Sequence, residues 1–144
     1  MVKLDRLHKE KSGFTLIEII VVIIIIAILA SLALPRFFRT MERSRAAEAL
    51  QGLSALRQSL QRCYLSRASY LACSPVNDNT FVNLDVDNPN TLATRLFDYA
   101  TSASAATTFT LQATRNVAQG GDGASTITIT DAGVRTGTGV FGGI

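Results

Sequence analysis

Residues 19–34 carry no charge, and Ile19–Ile26 are eight β-branched residues in succession. In water such a stretch is a poor helix and an aggregation hazard. In hydrocarbon the backbone has to satisfy its own hydrogen bonds, so a helix is the available form. From Phe14 to Leu34 there are 21 residues, about 31 Å of helix and enough for one bilayer crossing. The remainder has an ordinary soluble composition, and 144 residues allow one domain of normal size. With 47% hydrophobic and 17% charged residues, a disordered polar chain is excluded.

The flanks orient the span. Lys3, Arg6, Lys9 and Lys11 precede it, which keeps Met1–Gly13 cytoplasmic and sends the C-terminal body outward. After residue 13 the balance is 10 cations (14 minus 4) against 9 anions (11 minus 2). A near-neutral body makes no general case for nucleic-acid binding. An ordinary secretory signal cleaved near Ser31 and Ala33 would share this layout, but Glu18 argues against it. A carboxylate one turn into a membrane helix costs about 2.5–3.5 kcal/mol on insertion scales and calls for a counter-charge. Cleavage after Gly13 would supply one, because the new α-amine of Phe14 on one helix can pair with Glu18 of a neighbour and set their axial stagger.

Gly13-Phe14-Thr15-Leu16-Ile17-Glu18, after a short basic leader and before a long apolar run, resembles the type IV prepilin signature, the class III signal sequence. That resemblance implies a leader over residues 1–13, removed by a membrane peptidase that cuts between Gly13 and Phe14 and methylates the Phe14 amine. It implies a transmembrane and filament-core helix over residues 14–35, with Glu18 acting in assembly and Pro35 as a helix-bending proline. Residues 36–144 become the head, including the second half of the helix. The implied partners are identical or homologous pilins in a helical homopolymer, the prepilin peptidase and methyltransferase, an inner-membrane assembly platform, and membrane lipid before assembly. The implied location is a single-pass cytoplasmic (inner) membrane protein first and an extracellular pilus afterwards. A pseudopilin of a type II secretion system shares signal and helix, and a minor pilin that captures DNA is a third reading.

The fold class expected is α+β, one long N-terminal helix packed on a small antiparallel sheet. A bend or local melting is expected near Leu32–Pro35. Ala46, Leu50, Leu53, Leu56, Leu60 and Tyr64 recur at helical spacing and form an apolar stripe that needs a cover. The arginines around it, from Arg36 and Arg39 to Arg67, read chiefly as a solvated, partly paired face, or else as contacts to anionic headgroups near Arg36 and Arg39 or to DNA farther along. Cys63 and Cys73 lie ten positions apart, and an exported domain favours a disulfide between them. Pilins commonly carry theirs nearer the C-terminus.

Farther along, Asn90 or Thr91 caps a short helix over Leu92, Leu96 and Ala100. Phe109, Leu111 and Ala113 alternate with polar residues, as do Ile127 and Ile129, and both runs predict strands. Val134 and Val140–Phe141 are candidates for further strand. Asp85 and Asp87 open like a calcium loop, but Pro89 stands at the third ligand position and residue 90 is Asn, so the match fails. No cofactor or metal is expected, and no catalytic set: the single His is His8 in the leader, which leaves Ser-His and Cys-His chemistry without a base. DNA capture would need a cationic patch on the sheet, for which Arg95, Arg115 and Arg135 are candidates.

Overall fold

The computed structural model describes residues 13–143. The leader expected over residues 1–13 therefore lies outside the described residues, Gly13 excepted. The chain divides between Phe37 and Phe38 into two compact units.

In the first unit, Gly13, Phe14 and Thr15 precede the helix without regular secondary structure, and α1 (Leu16–Arg67) begins after them. Its apolar side chains stand open in the isolated chain, from Ile19 at 50% exposed to Leu34 at 49%. This is the one helix among the described residues that is long and apolar enough to cross a membrane. The helix is unbroken through Pro35, so the melting expected at Leu32–Pro35 does not occur. A proline removes one N–H donor, and the turns before and after it hold their own bonds.

In the second unit, α1 buries Ala46, Ala49, Leu53, Leu56, Ser59 and Leu60. These positions repeat every three or four residues and make one face. α2 (Tyr70–Cys73) is a single turn. Four strands follow, β1 (Phe97–Ser104), β2 (Phe109–Arg115), β3 (Thr126–Thr130) and β4 (Arg135–Gly137). They form one antiparallel sheet in the order β1-β2-β3-β4. Phe97, Tyr99, Phe109, Leu111, Ala113, Ile127 and Ile129 turn inward, and with the α1 stripe they form one core. The other face presents Thr110, Gln112 and Thr114 beside Thr126, Thr128 and Thr130.

Two expectations give way here. Leu92, Leu96 and Ala100 do not form a helix: Pro89–Thr91 is one 3-10 turn and Ala100 pairs with Gln112 inside the sheet. The winning period is two, carried by Phe97, Tyr99 and Thr101, each buried. Likewise Val134 is exposed and Gly139–Phe141 is a 3-10 turn, so the last strand falls between them at Arg135–Gly137.

The β1 edge is closed by side chains and turns. Asn77 N–H donates to the Thr101 carbonyl at 2.7 Å, and Thr101 N–H donates to the Asp78 carbonyl at 2.9 Å. Asn90 completes the cover, accepting from Tyr99 N–H at 2.8 Å and donating to the Tyr99 carbonyl at 2.8 Å. An edge occupied in this way is a poor template for strand addition.

Candidate functional site

The N-terminal motif folds as a capping box. Thr15 precedes the first turn, Glu18 follows at the third helical position, and the Glu18 carboxylate accepts from Thr15 N–H at 3.1 Å and from the Thr15 hydroxyl at 3.0 Å. Glu18 N–H in turn donates to the Thr15 hydroxyl at 3.3 Å. Two of the orphan donors at a helix start are thereby met, and the negative charge lies at the positive end of the helix dipole. Glu18 thus has partners within its own chain, a Thr-x-x-Glu spacing legible in the sequence but read there only as an unmet charge. Gly13 and Phe14 lie just outside the first turn, with the Phe14 side chain 74% exposed.

The head is stapled by a disulfide joining Cys63 on α1 to Cys73 at the end of α2, with Cα atoms 6.0 Å apart. Asp78 fastens the loop that follows. Its carboxylate accepts from Thr80 N–H at 2.9 Å, the Thr80 hydroxyl at 2.8 Å, Phe81 N–H at 3.1 Å and the Ser74 hydroxyl at 2.8 Å. Burial pushes the Asp78 carboxyl up, but these donors outweigh it and hold the group below the usual range.

The three arginines expected to form a patch part company. Arg115 is buried, with Nε donating to Glu42 Oε2 at 3.1 Å, Nη1 donating to the Leu96 carbonyl at 2.8 Å, and the guanidinium 5.5 Å from the centre of the Phe97 ring. Such a group holds the core and cannot meet a phosphate. Arg95 is paired with Asp98 at 2.6 Å. Arg135 alone of the three is open, on β4. The patch reading fails because sequence order says nothing about which way each strand residue turns.

A different set of cations is available. Arg57 donates to the Asp131 carbonyl at 3.1 and 2.8 Å, Arg62 to the Asp85 carbonyl at 3.4 Å, and Arg67 to the Ala72 carbonyl at 2.9 Å. These partners are neutral, so each guanidinium is positioned while, among the described residues, its charge meets no carboxylate. Arg62 and Arg67 line a groove of about 260 Å³ with Ser66, Asn83 and Asp85, and neither arginine is within ion-pair distance of a carboxylate among the described residues. Ser59 also lines it, and its buried hydroxyl has no hydrogen-bond partner.

A long N-terminal helix, half apolar and half packed on an antiparallel sheet, and headed by Gly-Phe-Thr-Leu-Ile-Glu, defines a type IV pilin. Residues 8–34 match the prokaryotic N-terminal methylation motif. Residues 35–128 match the family described as type IV minor pilin ComP, DNA uptake sequence receptor, and the chain belongs to that family. A crystal structure of the Neisseria meningitidis non-core minor pilin PilV has the same fold, with a TM-score of 0.51 and 22% identity over 69% of this chain and 89% of that one. No curated protein matches. Pilins of this kind are structural. Their class III motif implies prepilin peptidase processing and assembly with other pilins, and the long apolar helix marks a chain anchored in a membrane before that assembly.

Proposed function

We propose that this minor pilin carries a DNA-receiving head into a type IV pilus. The observation that carries the reading is the match of residues 35–128 to a family of DNA uptake sequence receptors, which covers most of the head. Arg57, Arg62, Arg67 and Arg135 support it, since all four keep their charge uncompensated by a carboxylate among the described residues. Duplex DNA is met first through its phosphates, and cations held in place by backbone carbonyls lose little entropy on contact.

The N-terminal residues take the processing roles. The peptidase cuts between Gly13 and Phe14, and the Phe14 amine is methylated. Glu18 exchanges its Thr15 partners for the amine of a neighbouring pilin during assembly. Pro35 supplies the point where the helix bends as subunits pack, and a contact that does not close on itself extends the filament. The inner membrane is the home of the chain before assembly, with an assembly platform as its partner there, and the pilus outside the cell is its destination.

The test is DNA binding by the full chain in detergent, followed by fluorescence anisotropy across a salt series. Arg62→Gln with Arg67→Gln should weaken binding and lower the salt slope by about one for each phosphate no longer neutralised. Equal affinity and slope in variant and parent would discard these arginines, and no DNA binding by the parent would discard the reading.

A further inference from the structure

We propose that the groove between residues 38–43 of α1 and the C-terminal segment 139–142 seats the phosphate headgroup of an anionic phospholipid while the chain is still in the membrane. The groove holds about 450 Å³, within the range of small-molecule sites. Arg39 and Arg43 line one wall, and among the described residues neither lies within ion-pair distance of a carboxylate. Glu42 lines it too, but its charge is taken up by Arg115 and Arg45. The groove is therefore cationic. Its lips are apolar, with Phe38 59% and Val140 53% exposed, which suits a ligand that is charged at one end and fatty at the other.

The position along the chain selects the occupant. The apolar run ends at Leu34, and Phe38 follows four residues later, about 6 Å along a helix. That is the depth of the headgroup layer outside a hydrocarbon core of about 30 Å. Arginines on the translocated flank also run against the charge bias that orients a membrane helix, and an anionic partner on that side offsets the conflict.

This proposal rests on the membrane-anchored reading. Its test uses the full chain in nanodiscs of phosphatidylcholine with or without phosphatidylglycerol, with retained lipid counted by native mass spectrometry. Phosphatidylglycerol should be retained in preference to phosphatidylcholine, with a loss of roughly five-fold for each arginine removed in Arg39→Gln and Arg43→Gln. Gly142→Leu is the uncharged counterpart. Gly142 has φ −54, and a Cβ there meets its nearest neighbour, the Gly139 carbonyl oxygen, at an ordinary 3.5 Å. The leucine should fill the groove and abolish the preference while the fold, followed by circular dichroism, is unchanged. Arg62→Gln with Arg67→Gln should leave lipid retention alone. Equal retention of the two lipids, indifference to Arg39, Arg43 and Gly142, or cross-links showing a second copy in the groove would overturn the proposal. A chain absent from the discs would overturn the membrane reading as well, and that result is recognisably different.

Discussion

Arg115 Nε donates to Glu42 Oε2 across 3.1 Å, tying the last residue of β2 to α1 over 73 positions of sequence. The Arg115 side chain is 1% exposed and that of Glu42 22%. An arginine this deep tolerates its site because every direction is answered: Glu42 on one side, the Leu96 carbonyl on another and the Phe97 ring face on a third.

Removing one member of such a pair leaves the other without its partner. Glu42→Gln should destabilise the head by about 3 kcal/mol, and Arg115→Ala by somewhat more because packing also suffers. Arg115→Met with Glu42→Gln should recover much of the loss. Burial raises the Glu42 carboxyl, but the hydrogen bond and charge of Arg115, followed by those of Arg45, outweigh it and hold the group below the usual range. The folded value is thus depressed. Its contribution is complete above the unfolded carboxylate value and disappears as pH falls through the folded one. Urea midpoints measured from neutral pH into the acid range check both the ranking and the sign, and a Glu42→Gln head should show a shallower acid loss than the parent.

Gly52 lies on α1 where Tyr99 crosses it. A Cβ at Gly52 would stand 2.7 Å from the Tyr99 hydroxyl and 2.8 Å from two ring carbons. Glycine within a helix costs about 0.5–1 kcal/mol against alanine, so Gly52→Ala would stabilise a free helix. Here the overpacking, on the order of 1–3 kcal/mol, should win. Burial, then the charge of Glu48, push the Tyr99 phenol up to about 12, and displacing the ring should bring that value back toward 10. Denaturation together with an alkaline absorbance titration of the variant reads both effects.

Much of this fold is written locally. The Leu53, Leu56 and Leu60 stripe and the alternation of Phe109, Leu111 and Ala113 are periodic patterns, and periodicity survives translation into structure because burial selects one face. What is not local stays hidden. Nothing near Arg115 in the sequence points to Glu42, so the same residue reads as a surface cation. Leu92, Leu96 and Ala100 imitate a helix because the true inward row, Phe97, Tyr99 and Thr101, ends in a polar residue that breaks the apolar alternation. Thr101 is buried all the same, its hydroxyl 2.7 Å from that of Ser74. Of the N-terminal motif, the charge on Glu18 is legible and its local partner Thr15 is easily overlooked, since a strong resemblance directs attention to the neighbouring subunit.

Cys63 and Cys73 join α1 to the turn that leads into the Asp78 loop. Closing a loop this short contributes about 2–3 kcal/mol in the chain-entropy picture. Cys63→Ser with Cys73→Ser should lower the denaturation midpoint by a corresponding amount. Its local effect should be larger. Faster amide exchange is expected at Asn77, which donates to the Thr101 carbonyl, and at Thr101, which donates to the Asp78 carbonyl on the same loop. Exchange read by mass spectrometry should show that pair and spare Leu111 and Ile127.

Glu18 offers the sharpest contrast between local stability and assembly. In the single chain it completes the capping box with Thr15, and Thr15→Ala should cost only about 1 kcal/mol of helix start, seen as fraying of the first turn. In the proposed filament the same carboxylate meets a Phe14 amine in surroundings without water. Losing one partner there leaves a buried charge, a penalty of about 3–5 kcal/mol. Glu18→Ala should therefore insert into membrane normally and be cut to residues 14–144 carrying one methyl group. Its incorporation into pili should fall at least about a hundred-fold, while Thr15→Ala incorporates within a few-fold of the parent. Intact mass of the membrane fraction and quantitative labelling of sheared filaments separate the two steps. Normal incorporation of Glu18→Ala would show that the carboxylate serves the helix start and nothing beyond it.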